Sequence, residues 1–262
     1  MIERDINITR WGTVGPTVIL IHGSVQGAKA GGDTHFQAQA VLAEQGWQLV
    51  VPDRPGHGCS PSAHRPDDFE LDAQWVAELL GDGAHLVGHS YGGLVALAAA
   101  ARRPAAVLSL TLIEAAMQAL TMDDPRTQNF ARQMGEAISG AASLADLAVR
   151  FSTVTGVPPE LKAHRDEAEL EQMGRSLTVI RLPTPERIQE MLGVVSREAI
   201  PLLLVTGGWC PGIDASSERA AELAQGRLVV VKTPHHFPQL NVHEFNRTLA
   251  GFMTTSQDGA RR

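Results

Sequence analysis

His85-Leu86-Val87-Gly88-His89-Ser90-Tyr91-Gly92-Gly93-Leu94-Val95-Ala96 is an apolar run that meets small residues and leaves as a helix-forming stretch. His85 to Val87 is too short for a helix and reads as a strand buried on both faces. Tyr91 to Arg103, dense in alanine and leucine, predicts a helix that Pro104 stops. Between them, Gly88-His89-Ser90-Tyr91-Gly92 has the form G-x-S-x-G. A chain passing from strand to helix in so few residues must turn sharply, which requires small neighbours and strains the serine. Such a turn exposes Ser90 Oγ at the sheet edge and aims the first N–H groups of the helix at a nearby negative charge. The same letters also occur in ordinary glycine-rich turns. The strand before and the helix after are what make them informative.

Working outward, similar apolar runs recur, most of them followed by Gly or Pro: Thr17–Ile21, Leu49–Val51, Leu108–Ile113, Pro201–Val205 and Arg227–Val231. Helix-like segments lie between them at His35–Glu44, Glu70–Leu80 and Ala215–Ala224. Strand alternating with helix implies an α/β fold, a mostly parallel central sheet with helices on both faces. The rhythm fails once. From Ala115 to Ala199 no good strand run occurs, and polar–apolar helical patterns take over at Asp124–Ala142, Ser143–Phe151, Pro159–Leu177 and Thr184–Val195. These divide the chain into a first core part (1–116), a helical cap inserted late in the sheet (117–196) and a second core part (197–262). Insertions of this kind commonly serve as lids.

Composition narrows the function. Charged residues make up 19% and hydrophobic residues 44%, ordinary for a soluble globular chain. The net charge of −7 argues against nucleic acid or an anionic membrane as partner. The nearest basic clusters are only Arg102-Arg103 and Arg261-Arg262. Two isolated cysteines, Cys59 and Cys210, lack metal-ligand spacing and read as free thiols of a cytoplasmic protein. No run approaches membrane-spanning length. A small-molecule substrate is the expected partner, and assembly as a homodimer is left open.

On these motifs the chain resembles the α/β-hydrolase fold family, over most of its length outside the cap. His22-Gly23-Ser24 after the Thr17–Ile21 strand is similar to the family's oxyanion loop. Asp53-Arg54-Pro55-Gly56-His57-Gly58-Cys59-Ser60 is similar to its D-x-x-G-x-G-x-S turn, which is a structural signature. The resemblance implies Ser90 as nucleophile and the backbone N–H groups of Ser24 and Tyr91 as the oxyanion hole, with no metal or organic cofactor. A serine needs a base. The pair His235-His236 follows the last strand, and His236, with Phe237-Pro238 behind it, matches the family's histidine. His235 stands where glycine is usual and is the lesser candidate.

The acid is where the chain departs from the pattern. The family's usual aspartate would fall at Cys210, and a thiol does not reliably carry the negative charge that orients the histidine. Asp214 lies four residues on, where it also reads as a helix N-cap. Glu114 follows the Leu108–Ile113 strand directly, and some members of the family, haloalkane dehalogenases and certain lactonases among them, take their acid from that strand end. Glu114 is the expected acid, with Asp214 as the alternative. The implied activity is hydrolysis of a small apolar ester or lactone through an acyl-enzyme on Ser90. The alternatives are cofactor-free chemistry of another kind on the same scaffold, such as C–C hydrolysis, perhydrolysis or lyase chemistry, or a ligand receptor that keeps the triad.

Overall fold

Each of the six apolar runs forms a strand because alternate residues are buried on opposite faces of one sheet. In the computed structural model, which describes residues 6–23, 25–62, 64–162 and 165–260, the strands are β1 (Ile8–Trp11), β2 (Thr17–Ile21), β3 (Gln48–Pro52), β4 (Ala84–His89), β5 (Val107–Ile113), β6 (Leu202–Thr206) and β7 (Arg227–Val230). Their order is β1-β3-β2-β4-β5-β6-β7. Only β1 runs antiparallel to its neighbour. It was missed in the sequence because Ile-Thr-Arg-Trp is short and none of its residues is fully buried, so it lacks the continuous apolar signal of an inner strand.

The helices are α1 (Gly32–His35), α2 (Phe69–Leu79), α3 (Tyr91–Arg102), α4 (Pro125–Ser139), α5 (Leu144–Val154), α6 (Glu167–Leu177), α7 (Pro185–Arg197), α8 (Pro211–Ala224) and α9 (Val242–Ala260). Ile19, Ile21, Leu86, Leu110, Leu112, Leu202 and Leu204 face a core shared with α2, α3, α7 and α8. Val18, Leu20, Val87, Ile113, Leu203 and Val205 face Phe36, Leu42, Phe245, Leu249 and Met253 on the other side. The segment expected as helix at 35–44 is instead a 3₁₀ stretch, Gln37–Gln45, closed by left-handed Gly46. The helix expected at 159–177 begins only at α6, where the Asp166 carboxylate caps it by accepting from Glu169 N–H.

Within the helical segment between β5 and β6, α5 and α6 pack on each other. Ala148 and Met173 make a small separate cluster with Val25 and Ala28, which follow β2. This contact seats the insertion against the loop that leaves β2. By contrast, α7 buries Ile188, Met191, Leu192 and Val195 in the main core.

Under that loop lies a buried ionic cluster. The Arg54 side chain is fully buried and pairs with Asp67 and, at 3.0 Å, with Asp72, which also holds Arg65 at 2.7 Å. The Arg54 guanidinium lies 4.6 Å above the Tyr91 ring. A buried charge is tolerated only when paired, so removing one partner is costly. Asp72→Ala is expected to lower stability by about 3 kcal/mol, read as a shifted urea midpoint at unchanged slope. An unmoved midpoint would show that the remaining partners satisfy Arg54.

Candidate active site

Ser90 joins β4 to α3 with φ 54° and ψ −122°, a left-handed conformation that an L-residue keeps only when its surroundings enforce it. Here they do. Ser90 N–H donates to the Ile113 carbonyl at 2.9 Å, and the Ser90 carbonyl accepts from Gly93 N–H at 2.9 Å and Ala116 N–H at 3.2 Å. Gly92 must lack a side chain, since a Cβ there would sit 2.3 Å from the Ile21 carbonyl oxygen. Although Ser90 is the N-cap of α3, its hydroxyl makes no capping bond, so Oγ is not spent on the helix. Tyr91 N–H is the first of α3, and first-turn N–H groups have no acceptor within their own helix. Ser24, the other expected oxyanion donor, lies outside the described residues.

Those bonds place Ser90 against the end of β5, and the next residue there is Glu114. It too has a left-handed backbone, φ 42°, and its N–H donates to the Val205 carbonyl at 2.9 Å. The carboxylate is buried and receives three donors. Gly207 N–H reaches Oε1 at 2.7 Å, the Trp209 indole N–H bridges Oε1 at 3.1 Å and Oε2 at 2.9 Å, and His236 Nδ1 reaches Oε2 at 2.5 Å. A carboxylate accepts, so Nδ1 of His236 carries a proton, and in the neutral ring Nε2 would then be the acceptor.

His236 is fixed from both sides through its backbone. Its N–H donates to the Gly156 carbonyl at 3.2 Å, and its carbonyl accepts from His89 Nε2–H at 2.7 Å. With Nε2 protonated, His89 Nδ1 must accept, so His35 Nε2–H donates to it, at 2.7 Å. Burial, followed by the neighbouring rings His236 and His35, pushes His89 well below the usual imidazole range. Burial also lowers His35, with His22 and His236 adding to it. His22 is likewise neutral: it donates from Nδ1 to the Gly23 carbonyl at 2.6 Å and accepts Arg54 N–H on Nε2 at 2.9 Å. Burial and then Arg54 push His57 down to about 3.

The other candidates fall elsewhere. His235 accepts Phe237 N–H on Nδ1 at 3.3 Å and makes no bond to Glu114. Asp214 lies in the first turn of α8, whose N-cap is Cys210, not Asp214. Burial raises the Asp214 pKa, and among the described residues no hydrogen bond or ion pair joins it to His236. Burial likewise pushes the Cys210 thiol up, which makes a thiolate there still harder to form. Trp209 and Gly156 were missed as site residues. The only hint of Trp209 was a large aromatic directly after the Gly207-Gly208 turn, and nothing in the sequence marks Gly156. The five described histidines around the site follow from no single spacing.

A family model of the alpha/beta hydrolase fold matches residues 16–194. An AB hydrolase superfamily protein of Gibberella zeae is 38% identical over 103 residues, covering 37% of this chain and 34% of the relative. A pimeloyl-[acyl-carrier protein] methyl ester esterase of Neisseria meningitidis serogroup A is 33% identical over 211 residues, covering 74% of this chain and 64% of the relative. The chain thus spans about a third of the first relative's length and just under two thirds of the second's. A hydrolase from Pseudomonas aeruginosa superposes with a TM-score of 0.68 at 20% identity, covering 95% of this chain and 94% of its own.

Gly23 tests how closely the site is packed. A Cβ at Gly23 would lie 2.6 Å from Ser90 Cβ and 2.9 Å from the His89 carbonyl oxygen. Gly23→Ala is expected to slow labelling of Ser90 by a fluorophosphonate probe on the order of 100-fold, the scale of a misplaced reacting group, with the fold retained by circular dichroism. Normal labelling would mean that the loop yields without disturbing Ser90.

The neutral histidines set a pH dependence. His22, His35, His57 and His89 all have folded pKa values below their unfolded ones. As pH falls below about 6.5 the unfolded chain binds protons that the folded protein refuses, so stability is lost in that direction. Chemical denaturation should give a clearly lower unfolding free energy at pH 5 than at pH 7. Equal values would contradict the neutral network.

Proposed function

The chain belongs to the α/β-hydrolase fold family, and we propose that within it this protein is a serine hydrolase that cleaves a carboxylic ester or lactone of a small apolar molecule. The observation that carries this reading is the buried Glu114–His236 pair beside the strained, uncapped Ser90. In the proposed reaction His236 Nε2 takes the Ser90 hydroxyl proton as Oγ bonds to the substrate carbonyl carbon. Glu114 stabilises the imidazolium that forms. The carbonyl oxygen, now negative, is held by Tyr91 N–H and, on the sequence motif, by Ser24 N–H. Collapse breaks the bond to the alkoxide leaving group, which receives the proton from His236. Water, deprotonated by the same Nε2, then attacks the acyl-enzyme and frees Ser90. Helices α4 to α6 of the insertion act as the cover that excludes bulk water from this chemistry, while α7 belongs to the core beneath.

The relatives favour the ester reading, since the Neisseria meningitidis protein is named for a methyl ester substrate. Turnover of short p-nitrophenyl esters tests it. Ser90→Ala should abolish the burst and steady rate. Glu114→Gln should lower kcat on the order of 1,000- to 10,000-fold, because the neutral amide cannot stabilise the imidazolium and presents the wrong hydrogen-bonding pattern. Asp214→Asn should stay within a few-fold of the parent. If Asp214→Asn collapses the rate while Glu114→Gln spares it, the acid is Asp214. If fluorophosphonate labels Ser90 but no steady turnover follows, the protein acts as a receptor.

A further inference from the structure

The Glu114 carboxylate and the helical insertion meet at one side chain. Trp209 follows the Gly207-Gly208 turn after β6, and its indole N–H donates to both Glu114 oxygens. Its ring packs on Gly156, which ends the turn after α5. A Cβ at Gly156 would lie 2.8 to 3.2 Å from three carbons of the indole, so the two surfaces touch with no space for a methyl group. Gly156 has φ +61° and is held by its own N–H to Thr153 O at 3.1 Å, while the next residue, Val157, donates to Ser152 O at 2.9 Å. The same Gly156 carbonyl accepts the backbone N–H of His236. Trp209 also lines a groove of about 400 Å³ with Phe130 and Val154 of the insertion. One glycine of the insertion therefore bears on both halves of the acid–base pair, on Glu114 through the indole and on His236 through a backbone bond.

We infer that Trp209 and Gly156 are positioning residues that couple the seating of the helical insertion to the alignment of Glu114 with His236. The inference rests on the reading of Ser90, His236 and Glu114 given above. When α5 is seated, the indole is pressed onto the carboxylate and the His236 loop is pinned. When it lifts, both supports leave together, and a 2.5 Å hydrogen bond between Glu114 and His236 loses the groups that fix its length. The insertion thus does more than cover the site: its position decides whether the base is oriented. The alternative is that Trp209 only fills space. In that case its N–H would be dispensable, and neither change would move the His236 Nδ1–H resonance.

The test is a double-mutant cycle on the full chain. Trp209→Phe keeps an aromatic ring but removes both the N–H donor and the outer indole carbons that meet Gly156. Gly156→Asn tolerates the left-handed backbone but places a side chain against the ring, and Gly156→Ala is the second variant should Asn fail to fold. Each single change is expected to lower kcat for p-nitrophenyl butyrate roughly 10- to 100-fold, the scale of one hydrogen bond to a charged group, with KM within about twofold. The double variant should fall no further than the worse single, because without the outer indole carbons the side chain added at position 156 has no ring to displace. A second readout does not depend on turnover. The low-field proton resonance of His236 Nδ1–H, identified by its loss in His236→Gln, should shift upfield or broaden in both singles. Unchanged resonances, unaffected kcat, or losses that multiply in the double variant would each overturn the coupling. If the resonances respond as expected but Ser90→Ala still hydrolyses the ester, the coupling stands and the assignment of the nucleophile fails.

Discussion

A carboxylate taken out of water must have its oxygens satisfied, and Glu114 is satisfied only because two other parts of the chain, the turn after β6 and the loop after β7, bring three donors to it. Gly207 N–H comes from the turn after β6, the indole N–H from Trp209, and Nδ1–H from His236 after β7. An unpaired buried charge would cost several kcal/mol, so the loops after three adjacent strands, β5, β6 and β7, are bound to one geometry. The proton on His236 Nδ1 follows from that geometry. Ser90 is tied in from the other side, through Ile113, the residue before Glu114. Two left-handed residues, Ser90 and Glu114, stand at the ends of neighbouring parallel strands. Each conformation is unfavourable alone, and each is enforced by bonds to its neighbour strand.

Neutral imidazoles complete the enclosure. A histidine that is buried and charged would repel both Arg54 and the imidazolium proposed to form on His236. His22, His57, His89 and His35 avoid this by lying far below the usual imidazole range, each for the same first reason, burial. Their hydrogen bonds then have fixed directions, since a neutral ring has one donor and one acceptor. His35 donates to His89, and His89 donates to the His236 carbonyl. Rigid orientation is thus obtained without adding charge beside Ser90.

The fold was legible because β2 and β4–β6 are buried on both faces and read as continuous apolar runs, a pattern that half-exposed helices and loops do not produce. Edge strand β1 was not, since a half-exposed four-residue strand leaves no such trace. Ser90 and Glu114 were marked by position directly beyond a strand, and His236 by the loop after the last one. Glu114 came into view only because Cys210 occupies the expected place of the acid. Trp209 and Gly156 could not be assigned in that way. Their roles depend on a contact between the insertion and the β6 turn, which are separated by an entire helix pair in the chain, and no local periodicity encodes such a contact. The histidine chain was hidden for a related reason: His35, His89 and His236 become neighbours only when α1, the end of β4 and the loop after β7 are folded together.

Placing the carboxylate at the end of β5 changes what the turn after β6 can do. A turn that itself carries the acid must devote its backbone to presenting that one side chain. Here the turn carries only donors, Gly207 N–H and the Trp209 indole, and the indole is large enough to reach past the carboxylate to the insertion. A phenyl ring has neither the N–H nor the outer ring carbons that meet Gly156, and a smaller donor could not make the contact. Tryptophan is the side chain that combines an N–H with that span. The buried carboxylate at the end of β5 and the tryptophan at position 209 are therefore two parts of one arrangement. The buried Glu114 needs a donor from the β6 turn, and a donor of this size brings the helical insertion into contact with the Glu114–His236 pair.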